Sequence, residues 1–383
     1  MNEAKEKAVP IPSVGADGEQ PSQISTENSI SEAATENKTQ ERSFEELLRE
    51  MSRVTDPAYL PTISMNELYE NVYQSRPPVI EGLLYPGTYL FAGSPKVGKS
   101  FLMAQIAYHF STGTPLWDFP VHQWTVLYLA LEDDHRRLQR RLYRMFGTEG
   151  TDNLHFAVFA KQLGDGLEEQ LKKFLSEHPD TRLVIIDTLQ KIRGEGGEKY
   201  SYSNDYEVIS RLKRIADDSG ICLLLVHHTR KQQADDKFDM ISGTNGLLGS
   251  ADGAFLLHKE NRTATEAFLD ISGRDQQDQR LLLNKNKERL VWELEEIEAE
   301  VWVEPPDPVL EAVAQVVTAD SPEWQGTASD LVALTGLELK PNTLTLRLNV
   351  NAERLMNQYH IAYENTRTHA GRRVKLTLLP AEA

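Results

Sequence analysis

The sequence predicts an α/β protein: a mainly parallel sheet flanked by helices, followed by a small C-terminal domain of helices and a hairpin. Short apolar runs such as "TYLFAG", "VLYLAL", "LVIID" and "CLLLVHH" alternate with helical patterns, which is typical of parallel strands that are covered on both faces. The later runs "EAFLDISGRD", "RLLLNKN" and "LVWELEEI" alternate in polarity, which favours antiparallel strands added at one edge.

The chain is expected to contain three parts. Residues 1–43 are rich in Ser, Glu, Thr, Asn and Gln and have few large apolar side chains, so we predict a disordered acidic tail. Residues 44–304 hold the alternating strands and helices. Because the prolines of "VEPPDP" interrupt both helices and sheets, the C-terminal domain is predicted to span residues 305–383.

Composition limits the classes of protein. The 383 residues include 58 Asp and Glu and 41 Lys and Arg, which gives a net charge of −17. This charge argues against a protein that binds duplex DNA over its entire surface. Residues 340–375 are locally basic. The single cysteine, Cys222, cannot form an intramolecular disulfide, and no apolar run reaches the length of a membrane span. We therefore expect a cytoplasmic protein with no membrane contact.

A phosphate-binding pattern follows the first apolar strand. The stretch "FAGSPKVGKSFLMAQIAYHF" contains Gly-x-x-x-x-Gly-Lys-Ser, whose backbone N–H groups can surround phosphates at the start of a helix. Its lysine reaches the β- and γ-phosphates and its serine hydroxyl binds Mg²⁺. The pattern predicts an ATP and Mg²⁺ site formed by Gly93, Ser94, Pro95, Lys96, Val97, Gly98, Lys99, Ser100 and Phe101.

Two acidic residues are expected beside this site. Asp187 ends the strand "LVIID", a position that binds Mg²⁺ in P-loop proteins; the alternative is a helix cap. Thr188 follows it, so the general base must come from elsewhere. Glu132, which is expected to end the strand that contains "VLYLAL", is predicted for that role. The alternative is that Glu132, Asp133 and Asp134 all cap the next helix.

Two histidines end a further strand. His227 and His228 are adjacent, so they point to opposite sides of the strand, which is poor spacing for a metal site. Either one could sense the γ-phosphate and relay its loss to the loop that follows. A purely structural role for both is the alternative.

The order of the C-terminal elements predicts a winged helix. "DPVLEAVAQVVT", "GTASDLVALTG" and "KPNTLTLRLNVNAERLMNQY" give three helices, the second opened by a Thr327–Asp330 capping box and closed by Gly336. A hairpin follows in "IAYENTRTHAGRRVKLTLL". The third helix would present Asn342, Thr345 and Arg347 to a DNA groove. The hairpin would contact phosphates through Arg367, Arg372, Arg373 and Lys375; docking of a protein is the alternative.

The motifs "GSPKVGKS", "LYLALEDDHRRLQRRL", "LVIIDTLQKIRG" and "LLLVHHTRK" resemble, in order and approximate spacing, RecA-like motor ATPases, in particular the RepA-type hexameric helicases of plasmids and mobile elements. The resemblance implies a ring with ATP between neighbouring subunits, single-stranded DNA in the central channel, and a replication initiator or primase as a partner. It also implies a cation supplied by the next subunit, for which Arg274 is predicted and Arg262 is the second choice; an arginine paired within its own hairpin is the alternative.

The same resemblance places DNA-binding channel loops after the Asp187 strand and after the histidine strand. The first loop, "RGEGGEKYSYSND", and the second, "TRKQQADDKFDMISGTNG", mix cations with glycine or aromatic residues, which suits single-stranded DNA; a solvated flexible loop is the alternative. The expected contacts are Arg193, Lys199, Tyr200, Tyr202, Arg230 and Lys231; the second loop also contains Lys237 and three acids.

The leading functional interpretation is an ATP-driven DNA motor. The main alternative is a non-translocating DNA-associated ATPase switch, such as a helicase loader or a replication or partition regulator. A recombinase-like filament former does not need a compact C-terminal domain, and a nucleotide kinase does not need Glu132 to activate water. Both are therefore disfavoured.

Overall fold

The structure is a computed structural model that describes residues 55–73, 77–193, 202–230, 237–241, 245–261, 263–274, 276–299, 305–368 and 371–379. The predicted tail 1–43 and residues Lys199, Tyr200, Lys231 and Arg262 lie outside this range. The chain divides into two compact units, residues 1–68 and 69–383. Within the described part, no helix is long and apolar enough to cross a bilayer.

A nine-stranded sheet forms the centre of the second unit. Six strands are parallel: β1 (Gly87–Gly93), β2 (Thr125–Ala130), β3 (Leu154–Ala157), β4 (Thr181–Asp187), β5 (Cys222–His228) and β6 (Gly253–His258). Three antiparallel strands extend it: β7 (Glu266–Gly273), β8 (Gln279–Lys285) and β9 (Trp292–Ala299). The order is β3-β2-β4-β5-β1-β6-β7-β8-β9, so the predicted parallel core and antiparallel edge are confirmed.

Helices cover both faces of the parallel strands, which explains why these strands are apolar throughout. In β5, Leu224 and Val226 belong to one core cluster, and Leu223 and Leu225 belong to the other. Successive strand residues point to opposite faces, so each face needs its own apolar cover. The first face packs against α2 (Lys99–Thr112) and α3 (His135–Phe146). The second packs against α4 (Leu167–Glu177) and α6 (Tyr202–Ser219).

Shorter helices complete the described elements. Helix α1 (Met65–Glu70) precedes the sheet, α5 (Leu189–Ile192) follows β4, and α7 (Asn245–Ser250) precedes β6. A 3-10 helix, Lys237–Met240, lies between β5 and α7.

The C-terminal elements enclose a separate apolar core and a three-stranded antiparallel sheet. They are α8 (Pro308–Ala314), β10 (Glu323–Gly326), α9 (Ala328–Thr335), α10 (Pro341–Val350), α11 (Ala352–Tyr359), β11 (Ile361–Thr368) and β12 (Gly371–Leu378). The predicted capping box at Thr327 and Asp330 is present, and Gly336 ends α9 with φ 66°.

Two features differ from the predicted three helices and hairpin. Strand β10 adds a third strand by pairing with β12. The expected single third helix is divided into α10 and α11 at Asn351, whose side-chain amide donates to the carbonyl of Arg347 at 2.8 Å. Asparagine side chains that bond to nearby backbone compete with helix continuation, which accounts for the break.

Asn349 joins the C-terminal core to the segment at the start of the second unit. Its buried side-chain amide donates to the carbonyls of Tyr69 and Glu70, at 3.0 and 3.1 Å. Its carbonyl oxygen accepts from Tyr363 at 2.8 Å and from Asn365 at 3.0 Å. The amide of Asn349 therefore bonds on one side to the segment that contains Tyr69 and Glu70 and on the other side to β11. Val72 of the same segment packs against the C-terminal core.

Candidate nucleotide site

The phosphate loop connects β1 to α2 at the carboxyl edge of the sheet. Gly93 ends β1, and Gly98 precedes α2 with φ 118°. A Cβ atom on Gly93 would lie 2.5 Å from the carbonyl oxygen of Leu257, and one on Gly98 would lie 2.7 Å from Trp292 Cζ2. Both glycines of the motif are therefore required by space, and Gly98 is also required by its backbone conformation.

Lys99 is a buried cation inside this loop, with 6% of its surface exposed. Its ammonium donates to the carbonyl oxygens of Gly93, at 2.7 Å, and Ser94, at 3.2 Å. Burial lowers the pKa of Lys99 to about 8, although Asp187 and Glu132 act in the opposite direction. A buried ammonium at the start of a helix suits the binding of a polyanion such as a nucleoside triphosphate.

Asp187 lies next to Ser100 and is 4% exposed. Its carboxylate accepts hydrogen bonds from the Ser100 hydroxyl and from the Tyr128 hydroxyl, the latter at 3.0 Å. Burial raises the pKa of Asp187, and the nearby Glu132 carboxylate adds to the effect. A hydroxyl and a carboxylate beside a phosphate loop are oxygen donors of the kind that Mg²⁺ takes, so Ser100 and Asp187 fit a metal held together with nucleotide phosphates.

Glu132 lies beside these residues, two positions after the end of β2. Asp187 pairs with Ala130 across the sheet, and the Glu132 carboxylate accepts from the Thr188 hydroxyl at 3.2 Å. Its charge acts on Lys99, Asp187 and His228. The carboxyl group is therefore near the phosphate loop and exposed to solvent, as an acid that orients a water molecule needs to be.

The two acids after Glu132 have separate structural roles. Asp134 is the N-cap of α3 and accepts from the backbone N–H of Arg137 at 2.9 Å. Asp133 instead accepts two hydrogen bonds from Arg141, at 2.7 and 3.2 Å. Asp134 therefore caps the helix, whereas Asp133 binds Arg141 in the middle of the helix through its side chain.

The structure distinguishes the two histidines of β5. His228 shares the face of Leu224 and Val226, on which α2 packs, and its Nδ1 lies 3.3 Å from the Lys99 ammonium. Burial and the charge of Lys99 lower the pKa of His228, so the ring is neutral near pH 7 and can accept from that ammonium. His227 is buried toward the other face, so the contact with Lys99 is made by His228.

Trp292 is the main contact of this loop that the sequence did not indicate. It starts β9, is fully buried, and donates from Nε1 to the carbonyl of Gly98 at 3.4 Å. Gln105 of α2 exchanges two hydrogen bonds of 2.8 Å with the backbone of Trp292. The antiparallel extension thus supports the phosphate loop directly. Phe101, the last predicted nucleotide contact, lies under the ammonium of Lys285, 4.0 Å from the ring centre.

Arg274 is outside this site in its own chain. It follows β7, at the end where Gly273 pairs with Gly253, whereas the phosphate loop lies at the opposite end of β1. The exposed guanidinium donates to the carbonyl of Gly249 at 2.9 Å. Any role at a nucleotide therefore requires a second subunit.

The predicted channel-loop residues are placed differently from one another. Arg193 forms a buried ion pair with Asp205, 3.0 Å apart, with the side chains 9% and 0% exposed. This placement favours an anchor at the base of the first loop over a DNA contact. Arg230 is exposed, and its backbone N–H donates to Met240 at 2.6 Å, which closes the base of the second loop. Tyr202 begins α6, and Lys237 lies 3.8 Å from Asp270.

The predicted DNA contacts of the C-terminal elements lie on more than one face. Arg373 and Lys375 alternate with buried Val374 and Leu376, so they point outward, whereas Arg372 points to the core side. Asn342 is exposed, Arg367 is in β11, and Thr345 is buried and bonded to the carbonyl of Pro341. Three cations have carboxylate partners: Arg347 with Asp307 at 2.9 Å, Arg372 with Glu70 at 2.6 Å, and Lys375 with Glu323 at 3.4 Å.

A phosphate loop between a central parallel strand and a helix, with acidic side chains at the same edge of the sheet from β4 and from the segment after β2, defines a P-loop ATPase-like domain with a RecA-like core. This fold implies nucleotide binding.

A comparison with known protein families agrees with this class. The family model for the AAA domain matches residues 54–234. A solved ATPase domain is similar in structure at 15% identity, covering 65% of this chain and 96% of that domain, with a TM-score of 0.47. No curated protein sequence matches the chain significantly.

Two further solved structures are similar. A KaiC-like protein from the hyperthermophilic archaeon Pyrococcus horikoshii shares 16% identity over 59% of this chain and 99% of its own, with a TM-score of 0.43. A DnaB-like replicative helicase, described with its interactions with primase, shares 16% identity over 65% of this chain and 70% of its own, with a TM-score of 0.45.

Proposed function

We propose that the protein is an ATP-hydrolysing DNA motor of the replicative-helicase type, a RepA-like ring that serves a plasmid or mobile element. The observation that carries the proposal is the contact between Lys99 and His228, because it joins the phosphate loop to the base of a loop expected to bind DNA. A motor needs such a connection, since phosphate loss must change the position of a DNA-binding element.

The chemistry proposed for the site follows from its charges. Lys99 binds the β- and γ-phosphates, and Glu132 orients and deprotonates the attacking water. Ser100 and Asp187 would hold Mg²⁺, which when bound neutralises charge on the phosphates. Tyr128 and the Ser100 hydroxyl fix the orientation of the Asp187 carboxylate, and Thr188 does the same for Glu132.

The connection to DNA is proposed to run through β5. His228 ends this strand, and Thr229 bridges to Ile241, so the chain between them forms a loop closed at its base. A shift of Lys99 upon phosphate release would act on His228 and then on this base. The first channel loop is closed in a similar way by Arg193 and Asp205 on either side of residues 194–201.

The ring supplies what one chain lacks. Arg274 is proposed as the cation that reaches the neighbour's phosphates, which its distance from its own phosphate loop supports. Arg274→Ala and Lys99→Ala subunits, each inactive alone, should then recover part of the ATPase activity when mixed, because a Lys99→Ala subunit can supply its arginine to the intact phosphate loop of its neighbour. No recovery in mixed assemblies would assign Arg274 to a role within its own chain. We propose that the C-terminal elements form a winged helix that holds forked or duplex DNA through Arg373 and the neighbouring cations.

Two assays of the purified protein test the function as a whole. Single-stranded DNA should stimulate ATP hydrolysis, and the protein should displace a labelled strand from a fork in the presence of ATP. Lys99→Ala should abolish both activities, whereas Lys172→Ala, an exposed lysine on α4, should leave both unchanged. ATP hydrolysis without strand displacement, even with a replication initiator and primase added, would favour the non-translocating switch.

A further inference from the structure

Helix α3 carries an unusually dense row of cations. Its twelve residues include five arginines and no carboxylate, although the whole chain has a net charge of −17. Arginines four positions apart lie on the same side of a helix and repel one another, which destabilises the helix unless anions lie nearby. Such a surface favours a partner that offers negative charge.

Only part of this charge is balanced within the chain. Arg141 is bound by Asp133, Arg137 is 3.5 Å from Asp134, and Arg144 donates to the backbone carbonyls of Lys287 and Glu288. Arg136 and Arg140 are exposed, and no carboxylate among the described residues is within 4 Å of either.

Strand β9 offers the opposite charge. Its sequence "WELEEIEA" contains four glutamates and no cation, and it forms one edge of the nine-stranded sheet. The four glutamates are all exposed, and Glu298 lies 3.6 Å from Arg280 in a surface pair that is weak enough to exchange partners. An exposed edge strand can accept a partner along its length, and acidic side chains restrict which partner that can be. Here they favour a basic surface.

The two surfaces match in spacing as well as in charge. Arg136 and Arg140 are separated by about 6 Å along the helix axis. Glu296 and Glu298 are separated by about 6.5 Å along their strand. We propose that α3 of one subunit docks on the β9 edge of a second copy of this chain, with these two arginines opposite these two glutamates. The contact pairs two different surfaces, so it is of the head-to-tail kind that builds rings.

The inference rests on the proposed ring and adds the surface that forms it. Helix α3 begins three residues after Glu132, so its partner would lie at the edge of the nucleotide site. The Asp133–Arg141 pair ties the middle of the helix to the same loop. Docking at α3 would therefore restrain the loop that carries Glu132, and would place the neighbouring subunit where its own cation can reach the phosphates.

Charge reversal tests the contact. The helix variant Arg136→Glu with Arg140→Glu, and the strand variant Glu296→Lys with Glu298→Lys, should each weaken assembly at least tenfold in the subunit dissociation constant. Combining all four changes in one chain should restore assembly to near the wild-type value. Sedimentation velocity with Mg²⁺ and a non-hydrolysable ATP analogue measures assembly, and added salt should weaken the wild-type contact.

The outcomes separate this proposal from the ring itself. The control Lys172→Glu with Lys173→Glu places the same added negative charge on exposed positions of α4 and should leave assembly unchanged. Full assembly of the helix variant, with or without loss of single-stranded DNA binding, would overturn the α3–β9 contact and leave the ring standing. A wild-type protein that stays monomeric under every condition would reject the ring. Circular dichroism of each variant checks that it remains folded.

Discussion

The ammonium nitrogen of Lys99 lies 3.3 Å from Nδ1 of His228, so the cation of the phosphate loop directly contacts the last residue of β5. Because burial and this cation lower the pKa of His228, the neutral ring can accept a hydrogen bond from Lys99. The hydrogen bond joins the nucleotide site to the chain that continues toward Arg230.

Replacing His228 should separate hydrolysis from its stimulation by DNA. His228→Ala should retain nucleotide binding, because Lys99 keeps its backbone partners at Gly93 and Ser94. Its ATPase activity should respond to single-stranded DNA several-fold less than that of the wild type. The measurement is steady-state ATPase with and without DNA. His122→Ala, at a partly exposed surface position, is the matched control, and an unchanged DNA response in His228→Ala would contradict the coupling role.

Nucleotide affinity should fall as pH rises above neutrality. The pKa of Lys99 is lowered to about 8, so in the free protein this side chain loses its charge as pH rises through 8. Bound phosphate favours the charged form, and affinity for an ATP analogue should decrease by up to about tenfold per pH unit above that value. Titration with a fluorescent analogue from pH 7 to about pH 9.5 measures the effect. If Lys99→Arg binds nucleotide with the same decline, another group is responsible.

Glu132→Gln should bind nucleotide normally and lose hydrolysis. The substitution keeps the shape of the side chain and removes the base, which should lower turnover by about 100-fold or more. Single-turnover hydrolysis and analogue binding, measured side by side, distinguish the two effects. Glu169→Gln, on the exposed side of α4, should behave as wild type. Wild-type turnover in Glu132→Gln would show that another residue is the general base.

The ion pair between Arg193 and Asp205 should matter for stability more than for direct DNA contact. Both side chains are at least nine-tenths buried, so Asp205→Asn or Arg193→Ala leaves an uncompensated buried partner and should lower the free energy of unfolding by about 3–5 kcal/mol. The double substitution Arg193→Met with Asp205→Leu should lower the free energy of unfolding much less, because it leaves no unpaired buried charge. Urea denaturation gives these values. If Arg193→Ala were as stable as the wild type and bound DNA weakly, the result would support the predicted contact between Arg193 and DNA.

Trp292 should support the phosphate loop. Trp292→Ala removes a fully buried indole and should lower the free energy of unfolding by about 3–5 kcal/mol. Its loss of contact with Gly98 should also weaken nucleotide binding. Trp324→Ala, in the C-terminal core, should lower stability without changing nucleotide affinity. Equal nucleotide affinities for the two variants, measured where both remain folded, would show that Trp292 acts only in packing.

The phosphate loop and the parallel core could be predicted because their signals are local. The loop motif is contiguous, and the apolar runs of β1, β4 and β5 show directly that both faces are covered. The contact between Trp292 and Gly98 could not be predicted, since 194 residues separate the two and a tryptophan in an alternating strand indicates only burial.

The choice between His227 and His228 shows a different limit. Strand alternation establishes that the two point to opposite faces, but it does not say which face carries α2. Similarly, the hairpin pattern suggests a free cation at Arg372, whereas its partner Glu70 lies 302 residues earlier in the chain. The side of the sheet that carries α2 and the partner of Arg372 both depend on how distant segments pack. No local pattern in a single sequence indicates that packing.

The hydrogen bonds of Asn349 determine where the gene can be cut. A fragment that begins at residue 305 would lose the Tyr69 and Glu70 carbonyls and the Val72 side chain, exposing a polar amide and part of an apolar core. A fragment that stops at residue 304 would keep residues 69–72 but lose the C-terminal core that these residues contact. Expression of either piece alone should give poorly soluble material, so the smallest practical unit for crystallisation runs from about Tyr69 to at least Leu378.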